Sequence, residues 1–232
     1  MSDITIDAKD GGSFSAYLAV PNSGSGPGIL LIQEIFGVNQ VMRDTADSLA
    51  ADGYVVMCPD LFWRQEPGVQ LSDQSEEDWA RAMQLFEGFR ADPAIDDLNA
   101  TLEALRAHEA CTGKVGCVGF CLGGLLAYLM ACRSDVDASV GYYGVAIHEF
   151  IAEAANIKNP LMLHIAREDG FVPYELQEAM HAGLDGNPLA TLYDYEGRDH
   201  AFARTGGEAY HEADAALARQ RTREFFGKVL VA

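Results

Sequence analysis

A glycine-flanked cysteine is the residue best suited to chemistry in this sequence. Cys121 lies between Gly119 and Gly123, after the apolar run 115–118 and before a second apolar run at 125–130. A strand, a tight turn and a helix in that order form a nucleophile elbow, in which strained backbone holds the reactive side chain at a helix N-terminus. Free N–H groups and the helix dipole favour negative charge there, so the position favours a thiolate. A buried structural cysteine in a glycine-rich turn is the alternative, and this short pattern alone favours catalysis only slightly.

Two further residues follow predicted strands and could complete a catalytic triad. Asp169 comes after the apolar run 161–165, and His200 comes after the run 190–195. Taken alone, Asp169 could simply form an Asp-Gly turn and His200 could be a surface histidine. Together with Cys121 they give the chain order of nucleophile, acid and base in α/β-hydrolases, which favours a triad. His200 would take the thiol proton, and Asp169 would hold the imidazole in one tautomer.

An oxyanion hole and a second acid are predicted beside the triad. Two converging N–H donors are needed for an oxyanion, and the backbones of Leu122 and Ile35 are the natural ones. Glu34 follows the predicted strand 29–32 and could hold the thiol proton or pair with a cation. Arg204, on the loop of the base, is the candidate cation. Solvent exposure of Glu34 and a weak surface ion pair for Arg204 are the ordinary alternatives.

Strand-length apolar runs alternate with helical patterns along most of the chain. This alternation predicts an α/β fold with a mostly parallel, doubly wound sheet flanked by helices, and a site at the carboxyl ends of its strands. Its 232 residues suit one domain, 1–232. Segment 61–92 is either an insertion over the active-site edge or an ordinary crossover with a long loop. The predicted helices are 39–52, 76–89, 96–109, 174–182 and 207–226.

Composition excludes several classes of partner. With 16 basic and 35 acidic residues, the formal charge is −19, which disfavours nucleic acid and anionic membranes. The five cysteines are odd in number and lack a Cys-x-x-Cys spacing, which disfavours a disulfide framework or a zinc site. No signal peptide or membrane span is predicted. We therefore expect a cytoplasmic enzyme whose partner is a small-molecule substrate.

Five separated motifs resemble the dienelactone hydrolases (carboxymethylenebutenolidases) over almost the whole chain. They are Gln33-Glu34-Ile35-Phe36-Gly37-Val38-Asn39, Cys58-Pro59-Asp60-Leu61, Gly119-Phe120-Cys121-Leu122-Gly123-Gly124, Gly141-Tyr142-Tyr143-Gly144 and His200-Ala201-Phe202-Ala203-Arg204. The resemblance implies a monomeric, single-domain α/β-hydrolase without metal or cofactor. It also implies a triad of Cys121, His200 and Asp169.

The resemblance further implies a substrate and the residues that bind it. Glu34 would contact the resting thiol and accept its proton when substrate moves it. Arg204 would bind the substrate carboxylate, and Phe36 would contribute to the substrate-binding surface. The implied reaction is opening of an unsaturated, carboxylated lactone to maleylacetate in the degradation of aromatic compounds.

The predicted helix 76–89 departs from the family pattern. Trp79 and Met83 stand where the best-studied pattern has a second carboxylate-binding arginine and a tyrosine, and Arg81 is two residues further on. A tryptophan and a methionine form an apolar wall, which suits a larger or less charged ester. Alternatively Trp79 simply packs, or a local helix shift lets Arg81 bind the substrate. A broader thiol carboxylesterase, a non-enzymatic thiol redox sensor and an inert binding module therefore stay open.

Overall fold

Strands and helices alternate from residue 26 onward in the computed structural model, which describes residues 2–231. Strands β1 to β8 span Ser2–Asp7, Ser13–Ala19, Gly26–Ile32, Val55–Pro59, Cys111–Phe120, Ala138–Tyr142, Leu161–Ala166 and Ala190–Tyr195. Helices α1 to α6 span Gln40–Ala51, Glu76–Gly88, Ala91–Ala107, Leu122–Arg133, Tyr174–Leu184 and Glu212–Phe226. A 3₁₀ segment at Ile147–Asn156 and a π segment at Gly227–Val231 were not predicted from the sequence.

The sheet has eight strands and is mostly parallel. β1 and β2 are antiparallel to each other, and β2 is antiparallel to β4. The pairs β3–β4, β5–β6, β6–β7 and β7–β8 are all parallel. The predicted α/β class, with a mostly parallel sheet flanked by helices, is confirmed. The chain divides into two compact units, one ending at Val115 and one beginning at Gly116, and the single domain 1–232 stays a prediction.

The first unit contains β1 to β4 and α1 to α3. Ile29–Ile32 of β3 are fully buried, as a central parallel strand requires. A Cβ added at Gly28 would lie 2.7 Å from Val115 Cγ2, so α3 and the start of β5 pack tightly against this strand. α1 begins at an N-cap, Asn39, whose side chain accepts from the Met42 N–H.

The segment after β4 is bonded to the loop after β3. Gln33 is fully buried, and its Oε1 accepts from the Leu61 N–H at 3.0 Å. The Leu71 N–H donates to the Phe36 carbonyl at 2.9 Å, and Asn39 Nδ2 donates to the Leu71 carbonyl at 2.8 Å. Segment 61–92 therefore fixes the conformation of the 33–39 loop. Its predicted position over the active site stays a prediction.

Two predicted helix starts were wrong. α3 begins at Ala91 and not at 96, because Pro93 falls in the first turn, where its missing N–H costs no helical bond. α6 begins at Glu212 and not at 207, because residues 201–209 form successive turns and His211 is the N-cap. The helix after β4 begins at Glu76 as predicted, with Ser75 as its N-cap.

The second unit is built around α4, whose residues Leu122 to Cys132 are all buried. Beside it, β6 and β7 are buried along their whole length. A hydrogen-bonded cluster links these strands to α6: Thr222 Oγ1 lies 2.6 Å from Tyr142 Oη and 3.1 Å from His164 Nε2. His164 Nδ1 lies 2.8 Å from Tyr195 Oη on β8. The expected role of His164 as a hydrogen-bonded core residue is confirmed.

Within residues 2–231, no helix combines the length and the apolar character that crossing a membrane requires. The same residues contain no group of three or more His, Cys, Asp or Glu side chains that could hold a metal ion. The cytoplasmic location stays a prediction.

Candidate active site

Cys121 has an unusual backbone conformation at the turn between β5 and α4. β5 ends at Phe120 and α4 begins at Leu122, so Cys121 alone makes the turn between them. Its backbone angles are φ 56° and ψ −115°, which L-residues rarely adopt. The strained turn is held by hydrogen bonds, since the Cys121 N–H donates to the Tyr142 carbonyl at 3.0 Å and the Gly124 N–H donates to the Cys121 carbonyl at 2.9 Å. This geometry is that of a nucleophile elbow.

The glycines around the elbow are required by close backbone approach. A Cβ at Gly119 would overlap the carbonyl oxygen of Gly123. A Cβ at Gly124 would lie 2.7 Å from both the Gly144 Cα and the Tyr142 carbonyl oxygen. The turn can therefore fold back onto α4 and β6 only if these two positions carry no side chain.

Asp169 and His200, which the sequence suggested as acid and base, are in direct contact. Asp169 lies three residues after β7, His200 lies five residues after β8, and both are buried. His200 Nδ1 is 2.7 Å from Asp169 Oδ2, which orients the imidazole. The other oxygen, Asp169 Oδ1, accepts from the Phe171 N–H at 2.8 Å and fixes the carboxylate. The second imidazole nitrogen, Nε2, is thus left for chemistry.

Cys121 and His200 are coupled electrostatically. Burial alone would lower the pKa of the His200 imidazole, because a charged ring is poorly solvated inside the protein. The negative charge of Cys121, a hydrogen bond to Asp169, a hydrogen bond to Cys121 and the charge of Asp169 together raise that pKa to about 10. The arrangement can hold a thiolate–imidazolium pair, which is the reactive state of a cysteine nucleophile.

Two aromatic side chains flank the His200 ring, and the sequence predicted no role for either. Tyr143 lies edge-on at 5.0 Å between ring centroids, and Phe171 lies edge-on at 4.9 Å. Tyr143 has a φ of 37°, and its N–H donates to the His164 carbonyl at 2.8 Å. Phe171 is 55% exposed, which is unusual for a phenylalanine and places its ring at the surface beside the base. The sequence signal that could have indicated this position is the phenylalanine that directly follows the Asp169-Gly170 pair.

Leu122 and Arg204 also lie in this unit. Leu122 is the first residue of α4, so its N–H has no acceptor within the helix and suits an oxyanion. Arg204 is buried, with 8% exposure, in the turns after His200. Those turns include Ala201 at φ 62°, whose carbonyl accepts from the Arg204 N–H at 2.9 Å. A buried arginine on the loop of the base differs from the surface ion pair that was the alternative.

Five of the predicted site residues lie in the first unit. Glu34, Ile35 and Phe36 are buried in the loop after β3. Trp79 packs edge-on against Phe36 at 4.9 Å, and its Nε1 donates to the Asp73 carbonyl at 2.9 Å. The Arg81 side chain is 43% exposed and forms an ion pair with Glu66. Their roles at the active site stay predictions.

The comparisons with known proteins agree with this geometry. The model of the dienelactone hydrolase family matches residues 14–230. The chain belongs to the dienelactone hydrolase family. It is 49% identical over 228 residues to an Azospirillum brasilense protein named "Putative carboxymethylenebutenolidase", covering 97% of this chain and 98% of that one. It is 39% identical over 222 residues to the carboxymethylenebutenolidase of Pseudomonas putida, covering 96% and 94%.

A solved structure extends the agreement to the fold. The crystal structure titled "Putative Dienelactone Hydrolase" from Klebsiella pneumoniae superposes with a TM-score of 0.87 at 26% identity, covering 97% of each chain. The family resemblance and the α/β-hydrolase fold are therefore confirmed. So is the predicted enzyme class, a carboxylic ester hydrolase, within a family that acts on small lactones and esters.

Three of the other cysteines differ from Cys121 in their surroundings. Burial raises the pKa of the Cys117 thiol to about 12 and that of Cys132 to about 11. Burial raises the pKa of Cys58 still further. Cys117 Sγ lies 3.2 Å from Ser139 Oγ in the core. These three thiols are structural, in contrast to the cysteine beside His200.

Proposed function

We propose that the enzyme opens a lactone or ester by covalent catalysis, with Cys121 as nucleophile, His200 as base and Asp169 as its orienting acid. One observation carries the proposal. Cys121 stands alone in a strained turn at a helix N-terminus and is coupled to a histidine that a buried aspartate orients. A structural cysteine would need neither the left-handed turn nor the oriented imidazole.

The first half-reaction forms a thioester. His200 takes the thiol proton, and the Cys121 sulfur attacks the carbonyl carbon. The oxyanion receives hydrogen bonds from the Leu122 N–H and, by resemblance to the family, from the Ile35 N–H. When the tetrahedral intermediate collapses, the carbon–oxygen bond breaks, and the leaving oxygen takes the proton from His200. In a lactone this oxygen stays attached to the acyl group, so the ring opens.

The second half-reaction consumes one water. His200 removes a proton from the water, and the resulting hydroxide oxygen attacks the thioester carbonyl. The carbon–sulfur bond breaks, and the product leaves as a carboxylic acid. An enolate or alkoxide leaves far more easily than an amide nitrogen, so esters and lactones are expected substrates and peptides are not.

A carboxylated dienelactone, opened to maleylacetate in aromatic-compound degradation, is the substrate that the family supports best. Arg204 would bind its carboxylate. By resemblance to the family, Glu34 would contact the resting thiol and, as the alternative acceptor to His200, take its proton when substrate moves it. Phe36 and Arg81 are the further substrate-binding residues proposed from the sequence. The P. putida relative, named a carboxymethylenebutenolidase, supports this substrate class.

A broader thiol carboxylesterase is the second candidate, and the first unit favours it. Trp79 packs on Phe36, and Arg81 is engaged with Glu66, so α2 presents a tryptophan where the family pattern has a carboxylate-binding arginine. Such a surface suits a larger or less charged ester.

Replacing Cys121 tests the covalent mechanism. We expect Cys121→Ala to lower kcat on a dienelactone and on aryl esters by at least about 10³-fold, because nucleophilic catalysis is lost. In the wild-type enzyme, rapid quenching and intact-mass measurement should detect an acyl group on the peptide that contains Cys121.

The matched control is Cys111→Ala, which removes a partly exposed thiol at the start of β5. It should retain wild-type turnover. Undiminished ester turnover by Cys121→Ala would rule out the mechanism. Rapid oxidation of wild-type Cys121 by peroxide without any ester turnover would instead identify a thiol redox sensor.

Replacing Arg204 separates the two substrate classes. For a carboxylated substrate, Arg204→Ala should lower kcat/KM by about 10²-fold, since a buried charge-assisted bond contributes about 2–3 kcal/mol. A neutral ester of similar size should lose less than about threefold. Equal losses on both substrates would show that Arg204 does not recognise the carboxylate.

A further inference from the structure

The two loops that carry the acid and the base are joined by three hydrogen bonds. The Glu168 N–H donates to the Arg198 carbonyl at 2.9 Å. The Gly170 N–H donates to Asp199 Oδ1 at 3.2 Å. Between these two, Asp169 Oδ2 lies 2.7 Å from His200 Nδ1. The contact between Asp169 and His200 therefore lies between two hydrogen bonds donated by backbone N–H groups of the first loop, and the Asp199 side chain accepts one of them.

The same oxygen of Asp199 contacts the backbone of the base. Asp199 Oδ1 also accepts from the His200 N–H, at 2.6 Å. One carboxylate oxygen of the exposed residue Asp199 thus accepts from two backbone N–H groups, that of Gly170 and that of His200. These bonds act where the chain leaves ordinary geometry, because Ala201, the next residue, has a φ of 62°. The strained backbone beside His200 needs such a restraint to hold one conformation.

We propose that Asp199 is a positioning residue that fixes His200 relative to Asp169 by accepting from the backbones of both loops. It does not touch the reacting atoms. The positioning requires a hydrogen-bond acceptor where Asp199 Oδ1 now lies, and it does not require the negative charge of the carboxylate. The inference rests on the proposed cysteine hydrolase mechanism, because positioning His200 matters only if His200 acts as the base.

Two substitutions separate the acceptor from the charge. Asp199→Asn keeps an oxygen in place and removes the charge, so it should retain at least half of the wild-type kcat. Asp199→Glu keeps the charge but moves the oxygen by one methylene, so kcat should fall about tenfold with KM changed less than about twofold. A small misplacement of a catalytic group costs turnover more than binding. If Asp199→Glu does not fold, Asp199→Ser has the same expectation.

Glu196→Gln is the matched control for charge on the same loop. The Glu196 side chain is 86% exposed and contacts only Arg167, at 4.0 Å, among the ion pairs of the described residues. This substitution removes the same charge and one long, solvent-exposed ion pair to Arg167, and it leaves the three hydrogen bonds between the loops in place. It should leave kcat and thermal stability unchanged.

A second measurement tests the role of Asp199 without any ester substrate. The rate of Cys121 alkylation by iodoacetamide at pH 7 reports the thiolate paired with His200, whether or not an ester is turned over. Wild type and Asp199→Asn should react at equal rates, and Asp199→Glu about fivefold more slowly. If the wild-type enzyme hydrolysed no ester or lactone, the proposed function would fail while alkylation still tested Asp199. Loss of alkylation in Asp199→Asn, or wild-type alkylation and turnover in Asp199→Glu, would overturn the positioning role.

Discussion

At the scale of single residues, the surroundings of His200 bear most directly on the proposed role of Cys121. Its ring is buried, bonded to Asp169 and flanked by Tyr143 and Phe171. Burial opposes a charged imidazole, yet the neighbouring charges and hydrogen bonds raise its pKa to about 10. The neighbours of His200 therefore stabilise a charged imidazole against the cost of burial, as the proposed cysteine nucleophile requires.

The protonation of His200 can be followed directly by NMR. In protein with labelled histidine, the His200 ring should stay protonated at pH 8 and lose its proton near pH 10, well above the ordinary histidine pKa of 6.5. Because the folded pKa is raised, the ring stabilises the fold fully below about pH 6.5, and this contribution is lost as pH rises through about 10. In Cys121→Ser, which removes the thiolate charge, the pKa should fall. An unchanged pKa in that variant would contradict the pairing.

The three proposed triad residues, Cys121, Asp169 and His200, could be picked out from the sequence because each follows an apolar run in the order of the fold. The flanking aromatics were not, because their role depends on a chain turn and on side-chain direction. Tyr143 reaches His200 only because its φ is 37°, and nothing in its neighbours' types requires that. Asp199 was missed for a similar reason, since its two backbone donors come from different loops.

At the scale of elements, the turn between β5 and α4 is constrained by close contacts between backbone segments. Its geometry depends on the absence of side chains at two glycines, where α4 lies against β6. Periodicity predicted the strands and most helices, since buried strands are apolar throughout. The start of α3 was misplaced because Pro93 is a helix breaker in the interior but is tolerated in a first turn.

Gly119→Ala tests the constraint on the elbow. We expect it to lower the free energy of unfolding by about 3 kcal/mol, because the new methyl group would overlap backbone that cannot move without distorting α4. Urea denaturation measures the loss. Gly186→Ala is the control, since its methyl group would meet no atom within 4 Å and should change stability by less than about 0.5 kcal/mol. Equal effects of the two substitutions would show that the elbow tolerates a side chain.

At the scale of the whole molecule, the net charge of −19 opposes an anionic substrate. Long-range repulsion slows the approach of a carboxylated lactone, whereas a buried arginine can attract it only at short range. The surface charge therefore repels a carboxylated substrate while Arg204 would attract it. Added salt should weaken the long-range repulsion more than the short-range attraction. Composition predicted repulsion of nucleic acid and anionic membranes, and the burial of the candidate cation Arg204 became visible only in the fold.

The salt dependence of turnover measures this repulsion. When ionic strength rises from about 10 to about 150 mM, kcat/KM for a carboxylated lactone should rise about twofold, because the Debye length shortens from about 30 to about 8 Å. A neutral ester should show no change and serves as the control. A fall in kcat/KM for the charged substrate would mean that local attraction outweighs the surface charge.

The burial of three other cysteines has a practical consequence for anyone who handles the protein. Cys58, Cys117 and Cys132 are held protonated at neutral pH by their apolar surroundings, and a thiol reagent reacts with thiolates. In the Cys111→Ala variant, which lacks the partly exposed thiol, a limited dose of alkylating dye should therefore mark Cys121 first and stop activity in proportion to the label bound. The amount of bound label then gives the number of working molecules in a preparation before any substrate is chosen.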